Sequence, residues 1–341
     1  MEAIQAMKPS QLEAALKVII KEGSLCVNIS GPPGVGKSSI VKAVTQDLGM
    51  DMIDIRAVLL DPVDLRGVPS VKDGMTHWNP PKFLPQAGCK PTVVFLDELD
   101  KAPGMTQSAL LQFTLDRRIG EYVCPDNVVV ISAMNRAVDR AGSQKMNTAL
   151  ANRFVHLKLD ADKEEWKRWA VVNDVHQYVR AYLDWRPSHL MDFDPSRPEA
   201  AFASPRSWEF ASRLLKAFQA EGIRGETLSA SLRGALGPGV GSEFNTFMSV
   251  YDKLPDVKEM LAKPTKAKVP DDSSIRYAVV TAAVDFYRGD KGLAKNLIQL
   301  LAKFPPEYAI IGVQDACSID MSFGAQPETI EWLKKTSQKI A

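Results

Sequence analysis

The sequence predicts a doubly wound α/β layer, a parallel sheet with helices on both faces, followed by a part made of helices alone. Three observations predict it. Short apolar runs recur at 25–30, Met52–Arg56, Val93–Leu96, Val128–Ser132 and Phe154–Leu159, with helical stretches between most of them. These runs are apolar nearly throughout, as strands buried on both faces must be. Beyond Asp160 only helical texture continues.

In chain order, Leu12, Ala15, Leu16, Val18 and Ile19 form one face of a helix over 11–22, with Ser10 as its N-cap. The strand LCVNIS (25–30) runs straight into a glycine-rich turn, and helices are expected at 39–48 and 104–116. The helical part is expected to hold helices at 162–184, 206–221, 242–252, 274–288, 291–303 and 326–339. Arg186–Ser204 and Ala262–Asp272, rich in proline or in lysine and proline, are expected as loops. Gly237–Gly241 has no lysine and no strand before it and is expected as a loop between helices. Leu293, Leu297 and Leu301 space a packed helix face.

At 341 residues the chain exceeds one hydrophobic core. The boundaries fall near 160 and 265, giving parts 1–160, 161–265 and 266–341. An apolar content of 45% and a charged content of 24% exclude a disordered, collagen-like or coiled-coil chain. A net charge of +1 does not ask for a nucleic-acid or membrane partner. Cys26, Cys89, Cys124 and Cys317 form no C-x-x-C pair, and the four histidines are dispersed. The thiols therefore read as buried or incidental in a reducing compartment. With no signal peptide and no span of about 20 apolar residues, the expected location is the cytoplasm.

The chemistry concentrates in three places. Gly31, Pro32, Pro33, Gly34, Val35, Gly36, Lys37 and Ser38, followed by Ser39, satisfy G-x-x-x-x-G-K-[ST] between a strand and a helix. Glycines there let backbone N–H groups curl around phosphates, Lys37 neutralises them, and Ser38 suits Mg2+. PTVVFLDELDKA (91–102) delivers Asp97 and Glu98 to the end of a buried strand, as a metal-ligand carboxylate and a water-polarising one. VVVISAMNRA (128–137) ends a third strand at Asn135, whose amide could face a γ-phosphate or simply cap a turn.

GPPGVGKS, VVFLDELD, Asn135, ALANRF (149–154) and SPRSWEF (204–210), in that order, resemble the AAA+ ATPases. LDPVDLRGV (60–68), HWNPPKFLP (77–85) and QSALLQFTLDRRIGEY (107–122) resemble the MoxR-like and dynein-related branch. DELDKA and Asn135-Arg136 stand where typical MoxR proteins carry DEINRA and Asn-Pro, which marks a divergent member. The resemblance covers about residues 10–215. It implies a P-loop NTPase (AAA+) parallel-sheet core, an all-α lid and C-terminal helices, with ATP and Mg2+ as cofactors.

It further implies Asn135 as sensor 1, Arg153 as an arginine finger offered to the neighbouring subunit, and Arg206 as the sensor-2 arginine of the lid. Arg117, Arg118, Arg136 and Arg140 compete with Arg153 for that role. Arg66–Asn79 and Ile119–Val123 would be hairpins, and the composition of the first fits a contact surface and a packed hairpin equally. The implied partners are further copies of the chain in a hexameric ring, a client protein and a von Willebrand factor A partner. The rival reading, a motor in a DNA-processing or restriction complex, predicts steep salt-dependent DNA binding.

Overall fold

The computed structural model describes residues 4–139, 146–251 and 254–340. Arg140, one of the competing arginines, lies outside them. Two compact units emerge: residues up to Asp162 with Asp194–Arg197, and Lys163–Phe193 with the chain from Pro198 onward.

The first unit carries strands β1 (Ala6–Met7), β2 (Cys26–Ser30), β3 (Asp51–Arg56), β4 (Val68–Lys72), β5 (Met75–Asn79), β6 (Thr92–Asp97), β7 (Arg118–Ile119), β8 (Tyr122–Val123), β9 (Val128–Met134) and β10 (Phe154–Leu159). Its helices are α1 (Pro9–Glu22), α2 (Lys37–Asp47), α3 (Pro62–Arg66), α4 (Gly104–Asp116) and α5 (Thr148–Ala151). Six strands form one sheet in the order β1-β10-β2-β9-β6-β3, every pairing parallel. The period-two alternation of a strand explains the apolar runs. Val27, Ile29, Phe95 and Ile131 face Leu12 and Leu16 of α1 and Val41 of α2. Cys26, Leu96, Val130 and Phe154 face Leu110 and Phe113 of α4 and Leu150 of α5.

The five expected strands and the helices at 11–22, 39–48 and 104–116 are all present; the helix 104–116 and the strand Phe154–Leu159 keep their ends, and the others shift by one or two residues. Ser10 does not cap α1: Lys8 is the N-cap and Pro9 takes the first helical position, where its missing N–H costs nothing. The two-residue β1, set beside β10, gave no signal because two residues carry no period. Arg66–Asn79 contains the hairpin β4–β5, whose first strand is exposed at every residue, including Val68 and Val71. Trp78 is half-buried, with the Arg66 guanidinium 4.9 Å above its ring. The small hairpin β7–β8 is anchored by buried Ile119 and by Tyr122, whose hydroxyl donates to the Pro85 carbonyl at 2.6 Å.

The second unit is helical: α6 (Lys163–Val172), α7 (Gln177–Trp185), α8 (Pro205–Ala220), α9 (Glu226–Leu236), α10 (Pro238–Tyr251), α11 (Val257–Ala262), α12 (Ser273–Gly289), α13 (Ala294–Leu301), α14 (Pro306–Ile319) and α15 (Pro327–Ile340). The single helix expected over 162–184 breaks instead. Asp174 adopts φ 52° and His176 caps α7, its ring accepting from the Tyr178 N–H. The loop expected at Gly237–Gly241 shrinks to Gly237 alone, since α10 starts at Pro238. Gly241 lies inside that helix, where a Cβ would come within 2.6 Å of the Arg233 Cα, so the glycine permits a close α9–α10 crossing. α14 went unread because Gly312 interrupts its pattern; a Cβ there would meet the Leu301 side chain at 2.5 Å. Leu297 and Leu301 are fully buried, as the spacing predicts, whereas Leu293 is half-buried and precedes α13 as its N-cap. The finer division at 265 stays a proposal.

Burial pushes the Cys26 thiol up to about 11 and raises that of Cys124, which makes both poor nucleophiles. Among the described residues no group of three or more His, Cys, Asp or Glu could hold a metal, and no helix is long and apolar enough to cross a membrane.

A buried charge cluster ties the helical unit together. Lys167 of α6 lies 2.8 Å from Asp184 of α7 and 4.0 Å from Asp315 of α14. Arg180 of α7, paired with Asp285 of α12, stands nearby and favours both carboxylates. One oxygen of each aspartate lacks a hydrogen-bond partner among the described residues. Burial raises both carboxyls, that of Asp315 to about 7, against the pull of Lys167. An acid raised in the folded state stabilises fully below its unfolded pKa, near 4, and that contribution is lost as pH rises through about 7. The helical unit should therefore lose stability as pH rises from 4 to 8, and Asp315→Asn should flatten that slope. Tryptophan fluorescence during thermal unfolding measures it, because Trp78 alone of the six tryptophans lies in the first unit. An unchanged slope in the variant would contradict the assignment.

Candidate active site

The parallel register brings the carboxyl ends of β2, β6 and β9 to one edge of the sheet, beside the point where strand order reverses. Ligands of open α/β sheets bind at such edges. β2 continues into Gly31, which sits so close to β10 that a Cβ would come within 2.6 Å of the Leu159 carbonyl oxygen. Gly34 and Gly36 adopt φ 77° and 104°, the region glycine reaches without penalty, and α2 starts at Lys37 with no side-chain cap on its first N–H groups. A helix N-terminus without a capping side chain leaves its dipole and N–H groups available to an anion. Pro32 and Val35 are buried, Pro33 and Ser38 half-buried, and Ser39 exposed.

Lys37 curls back onto this loop. Its ammonium donates to the carbonyls of Gly31 at 2.8 Å and Pro32 at 3.1 Å, and to Oδ1 of Asn135 at 3.1 Å. The structure thus brings together the loop lysine and the strand-terminal amide, 98 residues apart. Asp97 ends β6, accepting the Glu98 N–H at 3.0 Å and facing Arg56 of β3 at 3.2 Å. Arg56 gave no sequence signal; its place follows from the Arg56–Asp97 register pair. Burial, and then Asp97, push the Asp54 carboxyl up, while Arg56 pulls it down.

Glu98 occupies the left-handed region at φ 56°, a conformation that costs a non-glycine residue on the order of 1 kcal/mol. This turns its carboxylate off the strand and onto the Lys101 ammonium at 2.7 Å. Asp100 is a further group missed in the sequence. It is fully buried, and neither carboxylate oxygen has a hydrogen-bond partner among the described residues. Burial raises its carboxyl, opposed by nearby backbone N–H groups and by Lys101 and Lys37.

The arginines separate. Arg136 pairs with Asp139 at 2.9 Å and with Asp160 at 3.3 Å, and Arg117 holds the carbonyls of Pro125 and Val128, so both serve local structure. Arg118 is exposed. Arg153 follows the one-turn helix α5 and its guanidinium donates to the Ala149 carbonyl. Arg206 belongs to the second unit, as the exposed second residue of α8, behind the Ser204 cap.

The oxygen donors Ser38 and Asp97 suit a hard cation such as Mg2+. Such an ion is usually held by one or two protein oxygens together with phosphates and water.

Residues 27–159 match the sequence profile of the ATPase family associated with various cellular activities (AAA). The match spans the sheet from β2 to β10, and this segment is an AAA-family ATPase domain. Midasin of Giardia intestinalis is 26% identical over 167 residues, 46% of this chain and 3% of that protein. A Lon protease of Flavobacterium johnsoniae is 35% identical over 104 residues, 29% of this chain and 13% of that protein. The aligned parts are thus small fractions of these much longer relatives. Among solved structures, NtrX of Brucella abortus in complex with ATP aligns with 99% of this chain and 69% of its own, at 13% identity and a TM-score of 0.42.

The close approach at Gly31 gives a direct expectation. Gly31→Ala should force the loop off β10, destabilise the first unit by about 1–3 kcal/mol and weaken nucleotide binding. Thermal unfolding with and without ATP measures both, and a variant with wild-type values would contradict the geometry.

Proposed function

We propose that the chain is a cytoplasmic, Mg2+-dependent ATPase of the MoxR-like type that works as a hexameric ring and remodels a client protein, with a von Willebrand factor A protein as partner. The observation that carries the reading is the meeting of Lys37 and Asn135 at the sheet edge where Asp97 ends β6 and Glu98 follows it. In this reading phosphate oxygens replace the Gly31 and Pro32 carbonyls as acceptors for Lys37, and the backbone N–H groups of 33–38 close around them. Asn135, released from Lys37, holds a γ-phosphate oxygen. Glu98, released from Lys101, orients the attacking water and takes its proton. Ser38 and Asp97 would hold Mg2+, which supplies charge neutralisation on the phosphates.

Lys37, Asn135, Asp97 and Glu98 each already rest on an internal partner, so nucleotide exchanges partners and does not expose bare charges. Arg153 is the arginine offered to the neighbouring copy, where it would stabilise charge on the transferring phosphate. Arg206 would read nucleotide from the lid, taken as 161–265. The hairpin β4–β5, with Val68, Val71 and Met75 exposed along it, suits contact with a client.

Glu98→Gln tests the chemistry. ATP affinity should stay within about threefold while steady-state phosphate release falls at least about 100-fold. Undiminished turnover would remove Glu98 from the mechanism.

A further inference from the structure

α5 has four residues, too few to hold its place by its own hydrogen bonds. Both of its ends are tied down by side chains that the active-site description does not use. At the start, Asn147 caps the helix by accepting the Ala149 N–H at 2.8 Å, and its own N–H donates to Gln107 Oε1 at 3.0 Å. Gln107, buried on α4, donates from Nε2 to the Ala102 carbonyl at 3.1 Å. Ala102 closes the turn that begins at Glu98.

At the end of α5, His156 of β10 contacts the Ala151 carbonyl through Nε2 at 2.8 Å and the Asn28 amide nitrogen through Nδ1 at 3.2 Å. A carbonyl can only accept and an amide NH2 can only donate, so these partners assign the imidazole proton to Nε2. Asn28 is fully buried in the middle of β2. Its Oδ1 accepts from Ser132 of β9 at 2.9 Å, and its Nδ2 also reaches the Met134 sulfur at 3.0 Å. β2 leads directly to Gly31, and β9 leads directly to Asn135.

This polar lane crosses a sheet face that is otherwise packed with aliphatic and aromatic side chains. Apolar residues of similar size would fill that face with no demand on direction. Buried amides and an imidazole instead fix one arrangement, because any shift strands a donor or acceptor away from water. The two ties therefore join α5 to the turn after Glu98 at one end and to the strands of the phosphate loop and Asn135 at the other.

We propose that Gln107 and His156, with Asn28 behind it, are positioning residues for Arg153. They set the height and rotation of α5 and transmit the state of a copy's own pocket to the arginine it offers its neighbour. This rests on the shared-pocket reading above, and the experiment separates the two.

A donor carrying Lys37→Ala is mixed with an acceptor carrying Arg153→Ala, and steady-state phosphate release from the full chains is measured. The mixture should regain turnover. Gln107→Met or His156→Leu is then added to the donor alone or to the acceptor alone. On the donor, either substitution should cut the regained turnover at least about fivefold. On the acceptor, which has no Arg153 to position, the cost should stay within about twofold. Two different substitutions on two different elements guard against a single misfolded variant, and an unchanged Tm of each donor confirms that it is folded. Equal losses on both sides, or no loss from the donor, would overturn the inference while leaving the shared pocket standing. A parent mixture that regains nothing would overturn the shared pocket and the inference with it.

Discussion

The contact on which the site depends is the Lys37 ammonium set between two loop carbonyls and the Asn135 amide. It exists because β2 and β9 pair in parallel, so that both strands end at the same edge and their next residues face each other. The same register carries β6 alongside and puts Asp97 and Glu98 at that edge. Gly31 allows the loop to lie against β10 and Gly36 allows the turn into α2. A Cβ at the first position, or a bulky residue at the second, would move the lysine away from the amide.

Around that contact the isolated chain keeps its reactive groups occupied. Asp97 faces Arg56, Glu98 faces Lys101, and Arg153 lies on a carbonyl of its own helix. Such partners lower the cost of holding charge at a half-buried edge. They also mean that binding must compete with existing contacts. Asp100 stands apart as a buried carboxylate, neither oxygen of which has a hydrogen-bond partner among the described residues, at the turn through which Glu98 and Ala102 are joined.

Much of the core was legible because its signals are local. G-x-x-x-x-G-K-S names its own backbone geometry, and strands buried on both faces read as unbroken apolar runs, as VVFL before Asp97 does. What escaped depends on contacts distant in sequence. Arg56 is one charge at the end of a strand until register sets it opposite Asp97. Asn28 interrupts an apolar strand and reads as noise until Ser132 and His156 flank it across the sheet. The helical unit was read less well for a related reason. α14 is buried on several sides and contains Gly312, so it shows little of the 3.6-residue period. The turn at Asp174 breaks α6 from α7 where periodicity alone runs on.

The central claim is that the loop built around Lys37 holds the phosphates of ATP, and equilibrium binding of ATP to a Lys37→Ala variant tests it most directly. With the fold intact by thermal unfolding, the account predicts that the dissociation constant rises at least about 30-fold, the loss expected when a charge-assisted phosphate contact is removed. A folded variant that binds ATP as tightly as the unsubstituted chain would contradict it.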